Sequence, residues 1–244
     1  MTTISPQDPV AEAVVTAIRT GRVDELRRLL AEHPDLAAAR VGDDSPEGLA
    51  RSLLHVATDW PGHVPDVATT VAVLVAAGAD VNARFHGPHR ETPLHWAASS
   101  DDVDALTALV EAGADIDADG GVIAGGTPLG DATALAQWNA ARALVDRGAR
   151  TTPFDLAALG MTSELLTALD DASPDELGTA FWAACHGGRL DTAKALADRG
   201  ADLDWLPGWE RATPLDAATR SGSRDVVDWL RSSGAHTYDG LSRR

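Results

Sequence analysis

Few residues in this chain of 244 have the types and spacing that chemistry requires. Cys185 and His186 are adjacent, in the order of a thiolate–imidazole pair. Neighbours on a helix do not face each other, so Cys185 reads as a buried structural thiol. His86 and His89 share one turn, but zinc sites take three or four protein ligands. No metal and no other cofactor is expected. Gly120-Gly121 and Gly125-Gly126 flank Val122-Ile123-Ala124 without the Lys and Ser/Thr that a phosphate-cradling loop needs. Neither a G-x-S-x-G nucleophile elbow nor an H-E-x-x-H helix is present. One constellation stays open. Trp60, His63, Trp96 and Asp131, if they converge, make an apolar pocket with one carboxylate, the make-up of a small-molecule site. A desolvated Asp131 would then serve as a general base.

Composition narrows the classes of partner. Twenty Lys and Arg stand against 37 Asp and Glu, a net charge of −17. Such a surface repels phosphate backbones and anionic lipids, so nucleic acid and membrane surfaces are not expected partners. A cationic partner is weakly favoured, and solubility alone also explains the charge. No apolar run is long enough to cross a membrane. Met1 to Pro9 lacks a basic region followed by an apolar core, so no signal peptide is read there. A single cysteine permits no intrachain disulfide. A cytoplasmic location is expected, and the abundant Ala, Arg and Asp resemble the composition of a high-GC bacterial proteome.

The elements that must position any functional residue show themselves by repetition. Thr92-Pro93-Leu94-His95-Trp96-Ala97-Ala98 is echoed by Thr127-Pro128-Leu129, Thr152-Pro153-Phe154 and Thr213-Pro214-Leu215. Worn copies stand at Ser52-Leu53-Leu54-His55-Val56-Ala57 and Thr179-Ala180-Phe181-Trp182-Ala183-Ala184. A closing glycine recurs at Gly78, Gly113 and Gly148, roughly 35 residues apart. Gly200 follows after a longer interval that holds two shortened units, and Gly234 closes the last. Within a unit, Thr92 caps a helix and Pro93 fits its first position, where no amide donor is needed. Ala97 and Ala98 keep that helix thin enough to stack. Leu106, Leu109 and Val110 are the apolar teeth of a second helix, which Gly113 ends.

The motif T-P-L-H-x-A at this period is the ankyrin signature, and nearly the whole chain resembles the ankyrin-repeat family. The resemblance implies an all-α solenoid of stacked helix-turn-helix units with short hairpin-like turns, one domain over residues 1–244. The units are placed at 9–40, 49–83, 89–118, 124–150, 151–175, 176–205 and 210–236. The first, with charged Arg27, Arg28 and Glu32, reads as an N-terminal cap. The last carries Arg220, Arg224, Asp225 and Arg231 on a solvent-facing cap before Leu241 and the basic tail Arg243-Arg244, so a monomer is expected. Asp170-Asp171-Ala172-Ser173-Pro174 reads as a degraded closure of the fifth unit. His55 and His95 are expected to tether neighbouring turns rather than to react. Asp155, Trp182 and Asp216 hold the same motif place.

The family resemblance implies a protein-interaction module that binds through its concave face and inter-repeat turns. Exposed first-helix positions are then Trp96, Ser99 and Ser100; Asp131, Ala134 and Leu135; Leu156 and Leu159; Ala183, His186 and Gly187; Ala217, Arg220 and Ser221. Trp96 is either a contact anchor or packs beneath the insert Asp59–Pro65, which bears Trp60. Two turns carry aromatics that need a reason. One is Arg84-Phe85-His86-Gly87-Pro88-His89-Arg90-Glu91, locally basic, and the other is Asp204-Trp205-Leu206-Pro207-Gly208-Trp209-Glu210-Arg211. Partner contact and packing of one finger on the next both remain open for Phe85 and Trp209. The candidate binding residues are Trp60, Arg84, Phe85, His86, Arg90, Trp96, Asp131, His186, Trp205, Trp209 and Arg220. No enzyme activity is expected.

Overall fold

The computed structural model describes residues 2–241. Arg243 and Arg244 of the expected tail lie outside the described residues. Helices follow one another in pairs: α1 (Pro9–Arg19) with α2 (Val23–Glu32), α3 (Leu53–Thr58) with α4 (Val67–Ala76), α5 (Pro93–Ser99) with α6 (Val103–Glu111) and α7 (Pro128–Ala134) with α8 (Trp138–Asp146). Then come α9 (Pro153–Leu159) with α10 (Thr162–Ala168), α11 (Pro174–His186) with α12 (Leu190–Asp198) and α13 (Pro214–Arg220) with α14 (Arg224–Ser232). A short α15 (Tyr238–Leu241) follows. The chain divides into two compact units, residues 1–150 and 151–244. The division falls between the fourth and fifth expected repeats.

In each unit the helices form two layers. First helices pack on first helices, α1 on α3, α3 on α5 and α5 on α7 in the first unit, and α9 on α11 and α11 on α13 in the second. Second helices do the same, α2 on α4, α4 on α6 and α6 on α8, then α10 on α12 and α12 on α14. The first-helix layer closes tightly because its inward residues are small. Ala97, Ala98, Ala132, Ala157, Ala183, Ala184, Ala217 and Ala218 are fully buried. Leu106, Leu109, Leu144, Leu196 and Leu230 fill the space between layers from the second helices. Ends are set locally. Proline opens α5, α7, α9, α11 and α13, four of them behind threonine and α11 behind Ser173.

Two features depart from the expectation. A small sheet joins β1 (Thr3–Ile4), β2 (Arg40–Gly42) and β3 (Ala50–Ser52), parallel at β1–β2 and antiparallel at β2–β3. Ala50 and His86 extend it by exchanging amide bonds at 3.0 and 2.9 Å. Its strands are two or three residues long, too short for an alternating pattern to declare itself. The second departure is α11. It starts at Pro174, not near Thr179, so the supposed closure around Ser173 is a helix start. Ser173 accepts from the Glu176 amide at 3.3 Å, and the Glu176 carboxylate accepts from the Ser173 amide at 2.8 Å. That reciprocal pair is a capping box.

Candidate interaction surface

In several repeats one side chain of the first helix grips the turn that follows its repeat. In His95 the carbonyl of Gly126 lies 3.1 Å from Nε2, and Nδ1 takes the Thr92 amide at 3.0 Å. A carbonyl only accepts, so Nε2 carries the proton and Nδ1 is the acceptor. His55 repeats the arrangement, with the Glu91 carbonyl at 3.1 Å and Ser52 Oγ at 2.8 Å. Burial holds the His55 imidazole down at about 3 and lowers that of His95. Both are neutral tethers, as their motif place implied. Trp182 does the same work with an indole, donating to the Ala212 carbonyl at 3.0 Å. Asp216 does it with a carboxylate, accepting from the Thr213 and Tyr238 amides at 3.0 and 2.8 Å.

In the first unit the candidate residues differ widely in exposure. Trp60 is 81% exposed at the tip of its insert and has no ring partner among the described residues. Trp96 is half-buried, packed on Phe85 at 5.3 Å and edge-on to His55 at 4.8 Å. The finger that bears Phe85 folds back onto α5 because the Phe85 amide bonds the Glu91 carbonyl at 2.8 Å. Phe85, partly buried, thus lies against Trp96 of α5 and His55 of α3. Asp131 is fully buried, and its own repeat closes over it. Oδ1 accepts from the Ile123 amide at 3.0 Å and Oδ2 from Val122 at 3.3 Å. Burial nevertheless pushes its carboxyl up to about 6. Of the residues that could have lined one pocket, Trp60 is exposed, Trp96 half-buried and Asp131 fully buried.

The basic character of the Arg84 turn is largely spent within the unit. Arg84 pairs with the Asp119 carboxylate at 2.8 Å and donates to the carbonyls of Arg90 and Asp119. His86 Nε2 lies 2.9 Å from the Ser45 carbonyl. The Arg90 side chain is exposed. His63 reaches forward, donating its amide to the buried Asp102 carboxylate at 2.5 Å.

The second unit brings its candidates together. Trp182 lies in the middle of α11, stacked with His186 at 5.2 Å and with Phe154 of α9 at 6.3 Å. Trp209 stands edge-on to Trp182 at 5.7 Å and tilted against Trp205 at 5.9 Å. Trp205 donates to Asp175 at 3.3 Å. It also lies flat against Gly178, where a Cβ would stand 2.4 Å from the indole. Arg220, at the end of α13, forks onto both oxygens of Glu210 at 2.7 and 3.1 Å. Its guanidinium sits 5.7 Å from the centre of the Trp182 ring. The bonds from Arg220 hold the Glu210 carboxyl below its usual range.

Several expected exposures are corrected here. His186 is only 5% exposed because Trp182 covers its ring. Leu156, Ala183 and Ala217 are buried in the packed first-helix layer, as is Asp131 under its own loop. Leu135, Arg220 and Ser221 are exposed, as read. Glu210, placed in the aromatic turn but not among the candidate binding residues, and the buried Trp182 beneath the turn are the residues that the sequence did not single out. An acidic residue directly after an exposed Trp, ten positions before an arginine, was the available signal.

A model for ankyrin repeats, built on three copies, matches residues 67–155 and again 156–239. The chain belongs to the ankyrin-repeat family. Ankyrin repeats are generally protein-interaction modules. Among similar proteins is an ankyrin repeat and KH domain-containing protein, mask-1, of Caenorhabditis elegans, 42% identical over 55 residues. That match covers 22% of this ankyrin-repeat chain and 2% of the relative. The palmitoyltransferase AKR1 of Kluyveromyces lactis is 36% identical over 73 residues, 30% of this chain and 10% of that enzyme. The chain thus spans a small part of these curated relatives, and the enzyme's activity does not come with the match. The solved human ASB11 ankyrin repeat domain is 27% identical, with 76% of this chain and 85% of that one covered and a TM-score of 0.43. Among the described residues no helix is long and apolar enough to cross a membrane.

Proposed function

We propose that this ankyrin-repeat chain is a protein-interaction module whose main contact surface lies in its second unit, on the first-helix layer and the turn from Trp205 to Glu210. The observation that carries the reading is Trp209. It is 56% exposed on a turn whose neighbours Trp205 and Trp182 are ordered against it. A large ring held rigid yet left in water is the usual form of an interface anchor. Leu206 beside it is also exposed. In the first unit the exposed Trp60, Arg90, Val122 and Ile123 offer secondary contacts, while Arg84, Phe85, His86, Trp96 and Asp131 support the fingers from behind.

The reading is of a binder and not a catalyst. Asp131 is spent on its own loop, and burial pushes the Cys185 thiol far up, so it is no nucleophile at neutral pH. A lone buried thiol also suits the reducing cytoplasm. The test is affinity capture from native lysate with quantitative mass spectrometry, comparing wild type, Trp209→Ala and Trp60→Ala. Proteins retained by wild type and by Trp60→Ala but depleted at least about ten-fold on Trp209→Ala are expected. Equal retention by all three would refute the surface.

A further inference from the structure

The second unit already holds a guanidinium, and the manner of holding describes a ligand. Arg220 meets an aromatic face at Trp182 and a carboxylate at Glu210 that takes both of its terminal nitrogens. Glu210 directly follows the exposed Trp209 in the same turn. A flat aromatic surface beside a carboxylate able to accept a fork is the combination that favours arginine over lysine. Stability does not require this construction. The Arg220 side chain is 52% exposed and that of Glu210 28%, and ion pairs so placed add little in water.

We propose that Trp182, Trp209 and Glu210 form a recognition site for an arginine side chain in a basic segment of a partner protein, with Arg220 as its resident occupant until the partner's arginine takes its place. The inference rests on the interaction-module reading above and names the chemistry of the partner. Exchange of one guanidinium for another conserves the forked bonds and the ring contact. The displaced Arg220 returns to water, regaining hydration and side-chain freedom. Charge points the same way. Asp175 lies against the Trp205 edge and Asp202 is exposed near the start of the same turn, and the whole chain carries −17. A basic segment around the arginine would therefore be drawn in.

The test is a calorimetric titration of the full chain with acetyl-Gly-Arg-Gly-amide, and with peptides carrying citrulline or lysine in place of arginine. Citrulline keeps the shape of arginine and removes its charge. The Arg220→Ala protein is expected to bind the arginine peptide at least about ten-fold more tightly than wild type, and to prefer it clearly over both alternatives. Arg220→Gln, which keeps an uncharged stem near Trp182, gives the same ordering and serves if the alanine variant is poorly folded. Adding Glu210→Gln to either variant is expected to abolish the preference. An arginine peptide that binds Arg220→Ala and Arg220→Gln no better than wild type, or no better than citrulline, overturns the proposal. If lysate capture still depends on Trp209 in that case, the interaction surface stands and only its arginine site falls. Arg220 as an ordinary contact residue predicts the opposite sign, weaker binding on its removal.

Discussion

At the scale of single residues, the repeat motif spends its reactive groups on structure. His55 is neutral in the folded chain because burial costs more than its hydrogen bonds return to a charged ring. Its folded value of about 3 lies below the ordinary 6.5. The unfolded chain therefore binds the proton first as pH falls, and this stability, complete above 6.5, is lost progressively from there toward 3. His95 is shifted in the same direction. Asp131 opposes them. Its folded value of about 6 lies above the ordinary 3.8, so its contribution is greatest in acid and is lost as pH rises through 6. Thermal unfolding followed by circular dichroism at pH 7 and pH 5 separates them. His55→Gln is expected to be less stable at pH 7 by about 1–3 kcal/mol but to lose less than wild type on acidification. Asp131→Asn is expected to lose more than wild type. An unchanged pH dependence in His55→Gln would show that the tether does not titrate with folding.

At the scale of elements, the sequence was most readable where one residue type has one job. Thr-Pro announced the starts of α5, α7, α9 and α13, and the leucines of the second helices announced the face they bury. The start of α11 was misread because its weaker likeness to the repeat motif at Thr179 was preferred to a local signal, Ser173-Pro174-Asp175-Glu176, that meets the capping-box pattern. The fingers were less readable still. Whether Phe85 faces a partner or Trp96 depends on contacts between segments, which spacing along the chain does not encode. Close helix approach is also an element property. At Gly187 a Cβ would stand 2.1 Å from the Ala158 carbonyl oxygen of α9. Gly187→Ala must push α9 and α11 apart and is expected to cost about 1–3 kcal/mol. Gly200, with φ of +93° and nothing within 4 Å of its Cβ position, is expected to cost only about 1 kcal/mol on the same change, for its left-handed backbone. Urea unfolding of the two variants gives the comparison, and equal losses would show that the α9–α11 contact yields freely.

At the scale of the whole molecule, charge and exposed rings pull against each other. The candidate surface was half legible: Trp205, Trp209 and Arg220 stood out by type, but Glu210 gained meaning only once folding set it against Arg220. Exposed Trp60, Trp209 and Leu206 are sticky, and burying them between two copies would be favourable by area alone. The net charge of −17 works against such a pairing, because each copy repels the other over about 10 Å at moderate salt and further at low salt. A chain whose partner is basic has reason to keep that imbalance, since the same field that separates copies draws the partner in. Sedimentation velocity at pH 7.5 tests the balance over a roughly twenty-fold range of protein concentration. A single species of 25.4 kDa is expected in both low and high salt. A dimer in low salt would mean that complementary contacts outweigh the charge. A dimer only in high salt would mean that repulsion alone keeps the exposed tryptophans apart, and Trp209→Ala would then restore the monomer.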